Sequence, residues 1–287
     1  MTASNRAPNR DLIDRPIFIV STPRSGSTLL FETMGRTPGL FTVGAESHER
    51  IEQVADFFPG ARGWTSNRLT ADDARAESVE ALAERFYPLL RDREGEPAAG
   101  AVRMLEKTPK NALRVPFFAS AWPDSNFIYL YRDPRQTLAS MIEAWSSGRF
   151  RTYPRLPGWT GNPWSLLLIP DWQKLVGKPL PDVVAAQWAT TTEILIGDLE
   201  SLPRERIRVI DYDRFIAEPQ AEMERLTRSL GLEWDQILGP TLPLSRFTVS
   251  RPANDKWIRL APVIEEMLPL VTGADESARA FIAQFAA

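Results

Sequence analysis

The stretch Thr22-Pro23-Arg24-Ser25-Gly26-Ser27-Thr28-Leu29-Leu30 follows the short apolar run Ile17-Phe18-Ile19-Val20. A strand, a turn and a helix in that order place backbone N–H groups and a positive dipole end where an anion can be gripped. Gly26 permits the tight turn, Ser25, Ser27 and Thr28 add hydroxyls, and Arg24 adds a forked, permanently charged donor. A nucleoside triphosphatase loop needs two spaced glycines and a lysine before its Ser/Thr. Here Ser27 stands at the lysine position, and no glycine precedes Gly26 in the loop. The chemistry expected is therefore anion binding of another kind. The plain alternative is a turn with a serine cap.

A second stretch, Phe127-Ile128-Tyr129-Leu130-Tyr131-Arg132-Asp133-Pro134-Arg135-Gln136-Thr137-Leu138-Ala139-Ser140, delivers Arg132 to a strand end. Pro134 is suited to the first turn of the next helix, and Ser140 lies two helical turns beyond Arg132. Ligands of parallel α/β sheets collect at such strand ends. A helix cap or an ion pair with Asp133 is the plain alternative for Arg132. Asp133 is also a formal Mg²⁺ ligand.

Together the two stretches resemble the sulfotransferases that use 3′-phosphoadenosine-5′-phosphosulfate (PAPS). The resemblance runs from about Pro16 into the C-terminal third, where Ile207–Phe215 with Pro219 is similar to a later strand and turn of that family. It implies a P-loop-like three-layer α/β fold with a central, mainly parallel sheet flanked by helices. It implies PAPS as co-substrate, with Arg24, Ser25, Gly26, Ser27 and Thr28 around the 5′-phosphosulfate, Arg132 and Ser140 on the 3′-phosphate, and no metal. Lys107, in Glu106-Lys107-Thr108-Pro109, is similar to a family lysine that meets the sulfonate or its bridging oxygen; a solvated strand-end lysine is the alternative. Arg251 and Lys256, in Val249–Trp257, match only loosely a basic loop that closes over the nucleotide.

Transfer to a hydroxyl is helped by a base, and the candidates are Glu46 and His48 in Gly44-Ala45-Glu46-Ser47-His48-Glu49-Arg50. An imidazole titrates near neutrality and suits proton removal. The resemblance implies a histidine in the polyketide-associated branch and a glutamate in the tyrosylprotein branch. His48 is favoured, with Glu46 orienting it. The alternative is a helix start that merely leaves His48 exposed.

These side chains need a frame to converge. The runs Ile17–Ser21, Val102–Glu106, Phe127–Tyr131 and Ile207–Asp211 are β-rich and continuous rather than alternating, which suits strands buried on both faces of a parallel sheet. Helices are expected over Asp72–Arg91, Pro134–Trp145, Asp182–Leu202 and Gln220–Leu230. Residues 1–14 read as a loose tail and 15–287 as one sulfotransferase domain. Residues 148–181, dense in Pro, Gly and Trp, read as a lid over the acceptor, with Phe57, Phe58, Trp64, Tyr153, Trp159, Trp164 and Trp172 as apolar lining.

Composition narrows the rest. The 287 residues carry a net charge of −3, no cysteine and a single histidine. Nucleic acid is not the expected partner, and thiol catalysis and multi-histidine metal sites are excluded. The N-terminus lacks a secretory pattern and no run is long enough to span a membrane, so a cytoplasmic location is expected. The acceptor is a small or carrier-bound molecule, set by variable loops rather than by the donor motifs. The rival classes are a P-loop phosphotransferase and a non-catalytic nucleotide-binding protein.

Overall fold

The computed structural model describes residues 8–239, 241–243 and 256–285. The chain begins with β1 (Ile17–Val20), α1 (Ser27–Met34), the two-residue β2 (Leu40–Phe41) and the short α2 (His48–Glu52). Then come α3 (Ala76–Phe86), β3 (Arg103–Lys107), α4 (Val115–Ala121), β4 (Asn126–Tyr131) and α5 (Pro134–Ser147). A small ribbon of β5 (Arg151–Tyr153) and β6 (Trp164–Ser165) precedes the long α6 (Leu180–Glu200). The described chain closes with β7 (Ile207–Asp211), α7 (Tyr212–Ala217), α8 (Pro219–Ser229) and α9 (Ala261–Ala283).

Five strands form one parallel sheet in the order β2-β3-β1-β4-β7. Their continuous apolar runs follow from burial on both faces. Ile17 and Ile19 point to a layer with Leu29, Leu30, Phe215 and Met223. Phe18 and Val20 point the other way, to a layer with Leu82, Phe86, Phe117 and Leu195. The architecture is thus helix, sheet, helix.

Strand β1 is central, and the chain crosses to β3 on one side of it and to β4 on the other. Such a reversal of strand order opens a crevice at the carboxyl ends of the strands. Ile19 pairs with Lys107 and Val20 with Tyr129. The loop after β1, the end of β3 and the end of β4 therefore share one edge of the sheet.

Several elements differ from the sequence expectation. The helix expected over residues 72–91 is α only from Ala76 to Phe86, with 3-10 turns at Ala71–Asp73 and Tyr87–Leu89. Pro88 explains the late break, since it lacks the N–H that a continuing helix would use. Of the expected tail, residues 8–14 are tied down. Ile13 is buried and bridges to Val102, Asn9 bonds Glu80, and Trp122 Nε1 donates to the Arg10 carbonyl.

The segment expected as a lid is largely core. Trp164 and Trp172 are 0% and 2% exposed and pack edge to face, with Trp145 and Trp159 around them. Their indole N–H groups are spent on the Leu167 and Trp64 carbonyls. Gln187 of α6 threads this cluster, accepting from Trp145 and donating to the Ser165 and Leu167 carbonyls. Nine tryptophans in the chain made a binding surface attractive, but a buried aromatic first serves packing. Replacing Trp164 by Ala should lower the unfolding free energy by about 3–5 kcal/mol, read from urea denaturation. A loss below about 0.5 kcal/mol would instead mark Trp164 as a peripheral, lid-like side chain.

Candidate active site

The loop after β1 carries two residues in left-handed backbone conformation, Arg24 at φ 70° and Gly26 at φ 94°. For Gly26 the conformation is free of steric cost, whereas for Arg24 it is uncommon and costs on the order of 1–3 kcal/mol. Gly26 is also the N-cap of α1, with no side chain capping the first turn. The leading N–H groups of a helix have no intrahelical acceptor, so they remain aimed outward with the dipole behind them.

The hydroxyls of the loop divide their work. Ser25 is fully buried and its Oγ lies 2.7 Å from Thr22 Oγ1, so its side chain braces the turn rather than facing a ligand. Ser27 is buried at the helix start. Thr28 Oγ1 accepts from Lys107 Nζ at 3.0 Å.

The second stretch meets the first directly. Arg24 Nε donates to Ser140 Oγ at 3.3 Å, and Arg132 Nη1 donates to the Arg24 carbonyl at 3.3 Å. The Arg24 guanidinium lies 4.6 Å from the Phe150 ring centroid. Burial lowers the pKa of both arginines, and Glu143 offsets this most at Arg24. Arg132 is not paired with Asp133. It holds Gln136 through two N–H groups and stacks 4.3 Å above the Tyr212 ring. Asp133 caps α5 through the Arg135 N–H and pairs with Arg279, which uses the carboxylate that could have served Mg²⁺.

Tyr212 lies within the Ile207–Phe215 stretch, where no local pattern encodes its contacts. A Cβ on Gly26 would fall 2.2 Å from Tyr212 Cε2. The ring therefore packs on the glycine of one stretch and under the arginine of the other.

Lys107 is not the solvated lysine of the plain alternative. It is 2% exposed, and its ammonium donates to Glu46 Oε1 at 2.5 Å as well as to Thr28. Glu46 Oε2 lies 3.8 Å from His48 Nδ1. Thr28, Lys107, Glu46 and His48 thus form one continuous polar line. His48 opens α2 and is half-buried. Burial lowers its pKa first, and the Lys110 charge adds to the effect, against Glu46, Glu52 and Glu49. An imidazole in this setting is neutral at neutral pH.

A buried spine fixes the 44–48 loop. The Ser47 N–H donates to Thr108 Oγ1 at 2.7 Å, Thr108 donates to Glu106 at 2.6 Å, and Asn111 donates to the other Glu106 oxygen at 2.5 Å. Burial pushes Glu106 up to about 7, against the donors and the nearby Lys107. Arg251 lies outside the described residues. Lys256 begins the turn Lys256–Leu260, and its side chain is likewise outside the description. Among the described residues no acidic or histidine group has the makeup of a metal site, and no helix is long and apolar enough to cross a membrane.

The fold and the site define an α/β protein whose strand ends bring a helix N-terminus and two arginines together, with a half-buried histidine joined to them through Glu46 and Lys107. Comparison with known proteins gives the class a name. The model of the sulfotransferase family matches residues 16–236, and the chain belongs to that family. Protein-tyrosine sulfotransferase A of Caenorhabditis elegans is 22% identical over 265 residues, covering 86% of this chain and 62% of its own. Nodulation protein NoeE of Sinorhizobium fredii is 24% identical over 250 residues, covering 78% of this chain and 52% of its own. The chain spans about half to two thirds of the length of the curated relatives it matches. Sulfotransferase STF1 of Mycobacterium tuberculosis superposes with a TM-score of 0.50 at 17% identity, over 92% of this chain and 78% of that one, a likeness in fold.

Gly26→Ala should be costly twice, through its backbone conformation and through the Tyr212 ring. A loss of at least about 1–3 kcal/mol in chemical denaturation is expected. Relief by the added change Tyr212→Ala is expected to be partial, because only the ring overlap is removed. A stable Gly26→Ala single variant would contradict the packing described.

Proposed function

We propose that this chain transfers a sulfonate group from PAPS to a hydroxyl, in preference to an amine, of a small or carrier-bound acceptor. The observation that carries the reading is the line Thr28–Lys107–Glu46–His48, which joins an anion-gripping loop to a proton acceptor through one buried cation. The donor set fits a doubly anionic nucleotide. The α1 N-terminus with Ser27, Thr28 and Arg24 suits the 5′ end, and Arg132 with Ser140 suits a second phosphate near the Arg24 backbone. When bound, PAPS supplies the sulfonate and a phosphate leaving group.

The residues then have distinct tasks. His48 takes the proton of the acceptor hydroxyl as that oxygen forms its bond to sulfur and the bond from sulfur to the phosphate oxygen breaks. Glu46, with one oxygen held by Lys107 and the other nearest Nδ1, orients the ring so that Nε2 is the accepting atom. Lys107 and Arg24 neutralise charge on the departing phosphate without a metal. Such fixed charges act at little reorganisation cost, and this kind of electrostatic stabilisation is usually the largest catalytic contribution. Phe58 and Trp64, with ring centroids 5.2 Å apart and packed against the buried Tyr153 ring, supply apolar surface.

Calorimetry tests the donor. Metal-independent binding of 3′-phosphoadenosine-5′-phosphate, with ATP bound far more weakly, is expected; Mg²⁺-dependent ATP binding would point to a phosphotransferase. Transfer of labelled sulfonate to a panel of alcohols and phenols tests the chemistry. His48→Ala should cut kcat by about 10²–10⁴-fold and leave affinity for the desulfated nucleotide near wild type.

The pH profile has a definite sign. A base must be unprotonated, and the His48 pKa lies below the ordinary 6.5, so the acid limb of kcat/KM should fall below pH 6.5. A limb above that value, or full turnover in His48→Ala, would remove His48 from the role.

A further inference from the structure

His48 and Glu52 are the first and last residues of α2. Four residues apart, they lie on one helix face. Glu52 Oε1 receives Lys110 Nζ at 2.5 Å, Tyr153 Oη at 2.8 Å, Asn67 Nδ2 at 3.2 Å and Arg114 Nη2 at 3.4 Å. Lys110 also donates to Tyr153 Oη at 2.8 Å and lies 4.6 Å from the centre of that ring. The side chains of Lys110 and Arg114 are 7% and 0% exposed. Two buried cations therefore share one carboxylate one helical turn below the imidazole. The catalytic line described above does not use them.

The remaining charges near His48 are of the opposite sign. Glu46 precedes α2, and Glu49 and Glu52 lie on it. All three favour the imidazolium, which cannot accept a proton. Glu46 is offset by Lys107 of β3. Glu52 is outnumbered by Lys110 and Arg114. Tyr153 contributes no charge, since burial, reinforced by Glu52, holds the phenol above its ordinary range.

We infer that Lys110 is a positioning residue for the reaction. The positive charge of Lys110, held against Glu52 beside Arg114, adds to burial in keeping His48 unprotonated in the midst of three carboxylates. The cluster sits in a water-poor interior, where a charge is felt more strongly than at the surface. Of the charges acting on His48, that of Lys110 has the largest effect. Burial in turn lowers Lys110 to about 8, with Glu52 resisting and Arg114 assisting. The cation is thus present at neutral pH and is lost in the mildly alkaline range. The catalytic weight of this arrangement rests on His48 being the base; the electrostatic coupling does not.

His48 is the only histidine in the chain, so one imidazole signal in a carbon-proton NMR titration reports it without ambiguity and without an acceptor. Lys110→Gln keeps hydrogen-bonding capacity and removes the charge, and Lys110→Arg keeps the charge. The His48 midpoint should rise by roughly 0.5–1 pH unit in Lys110→Gln, as expected for loss of a nearby like charge, and stay near wild type in Lys110→Arg. An unchanged midpoint in a folded Lys110→Gln protein overturns the inference. Should Lys110→Gln fail to fold, the wild-type ring signal serves. A second inflection near pH 8, where Lys110 titrates, supports the coupling, and a flat response there overturns it.

Activity separates the two levels. In Lys110→Gln the acid limb of kcat/KM should move up by the same amount as the NMR midpoint. A moved midpoint together with full activity in His48→Ala would retire the base assignment while leaving the coupling intact.

Discussion

An ammonium group cannot be buried without partners, because desolvation alone would cost several kcal/mol. Lys107, 2% exposed at the end of β3, finds its partners on two other segments: Thr28 of α1 and Glu46 of the loop before α2. The three segments must therefore arrive together. Strand pairing of Ile19 with Lys107 fixes the height of the lysine on the sheet edge, and the Ser47–Thr108–Glu106 spine fixes the loop that carries Glu46. The turn at Gly26, the buried cation and the histidine are consequences of meeting one desolvated charge.

Much of this frame was legible in the residues. The four apolar runs became β1, β3, β4 and β7 within a residue or two, because burial on both faces leaves a continuous hydrophobic signal. The turn at Gly26 and the helix opened by Pro134 carry local signatures of their own. Depth was not legible. A lysine at a strand end looks the same whether it reaches solvent or, like Lys107, lies beneath a loop sixty residues away in the chain. The Lys110–Glu52–Tyr153 cluster joins positions 43 to 101 residues apart, and no local pattern encodes such a meeting.

The segment 148–181 shows the opposite error. Its composition, rich in Trp, Pro and Gly, fitted a mobile cover, and its tryptophans turned out to be packed against α5 and α6 with their indoles hydrogen-bonded. Periodicity fails in such a stretch, because the side chains are buried by tertiary contact rather than by a repeating face. The tie between residues 9–13 and Glu80, Val102 and Trp122 was invisible for the same reason.

The ring of Tyr212 lies against Gly26 on one side and under Arg132 on the other. The two stretches, more than a hundred residues apart in sequence, meet directly at Arg24 and are braced on one shared aromatic ring. On the sulfonate-transfer reading proposed above, this shared brace sets one separation for the two candidate phosphate sites. A polyanion would then be judged by its length as well as its charge, and the gauge is a side chain with no charge of its own.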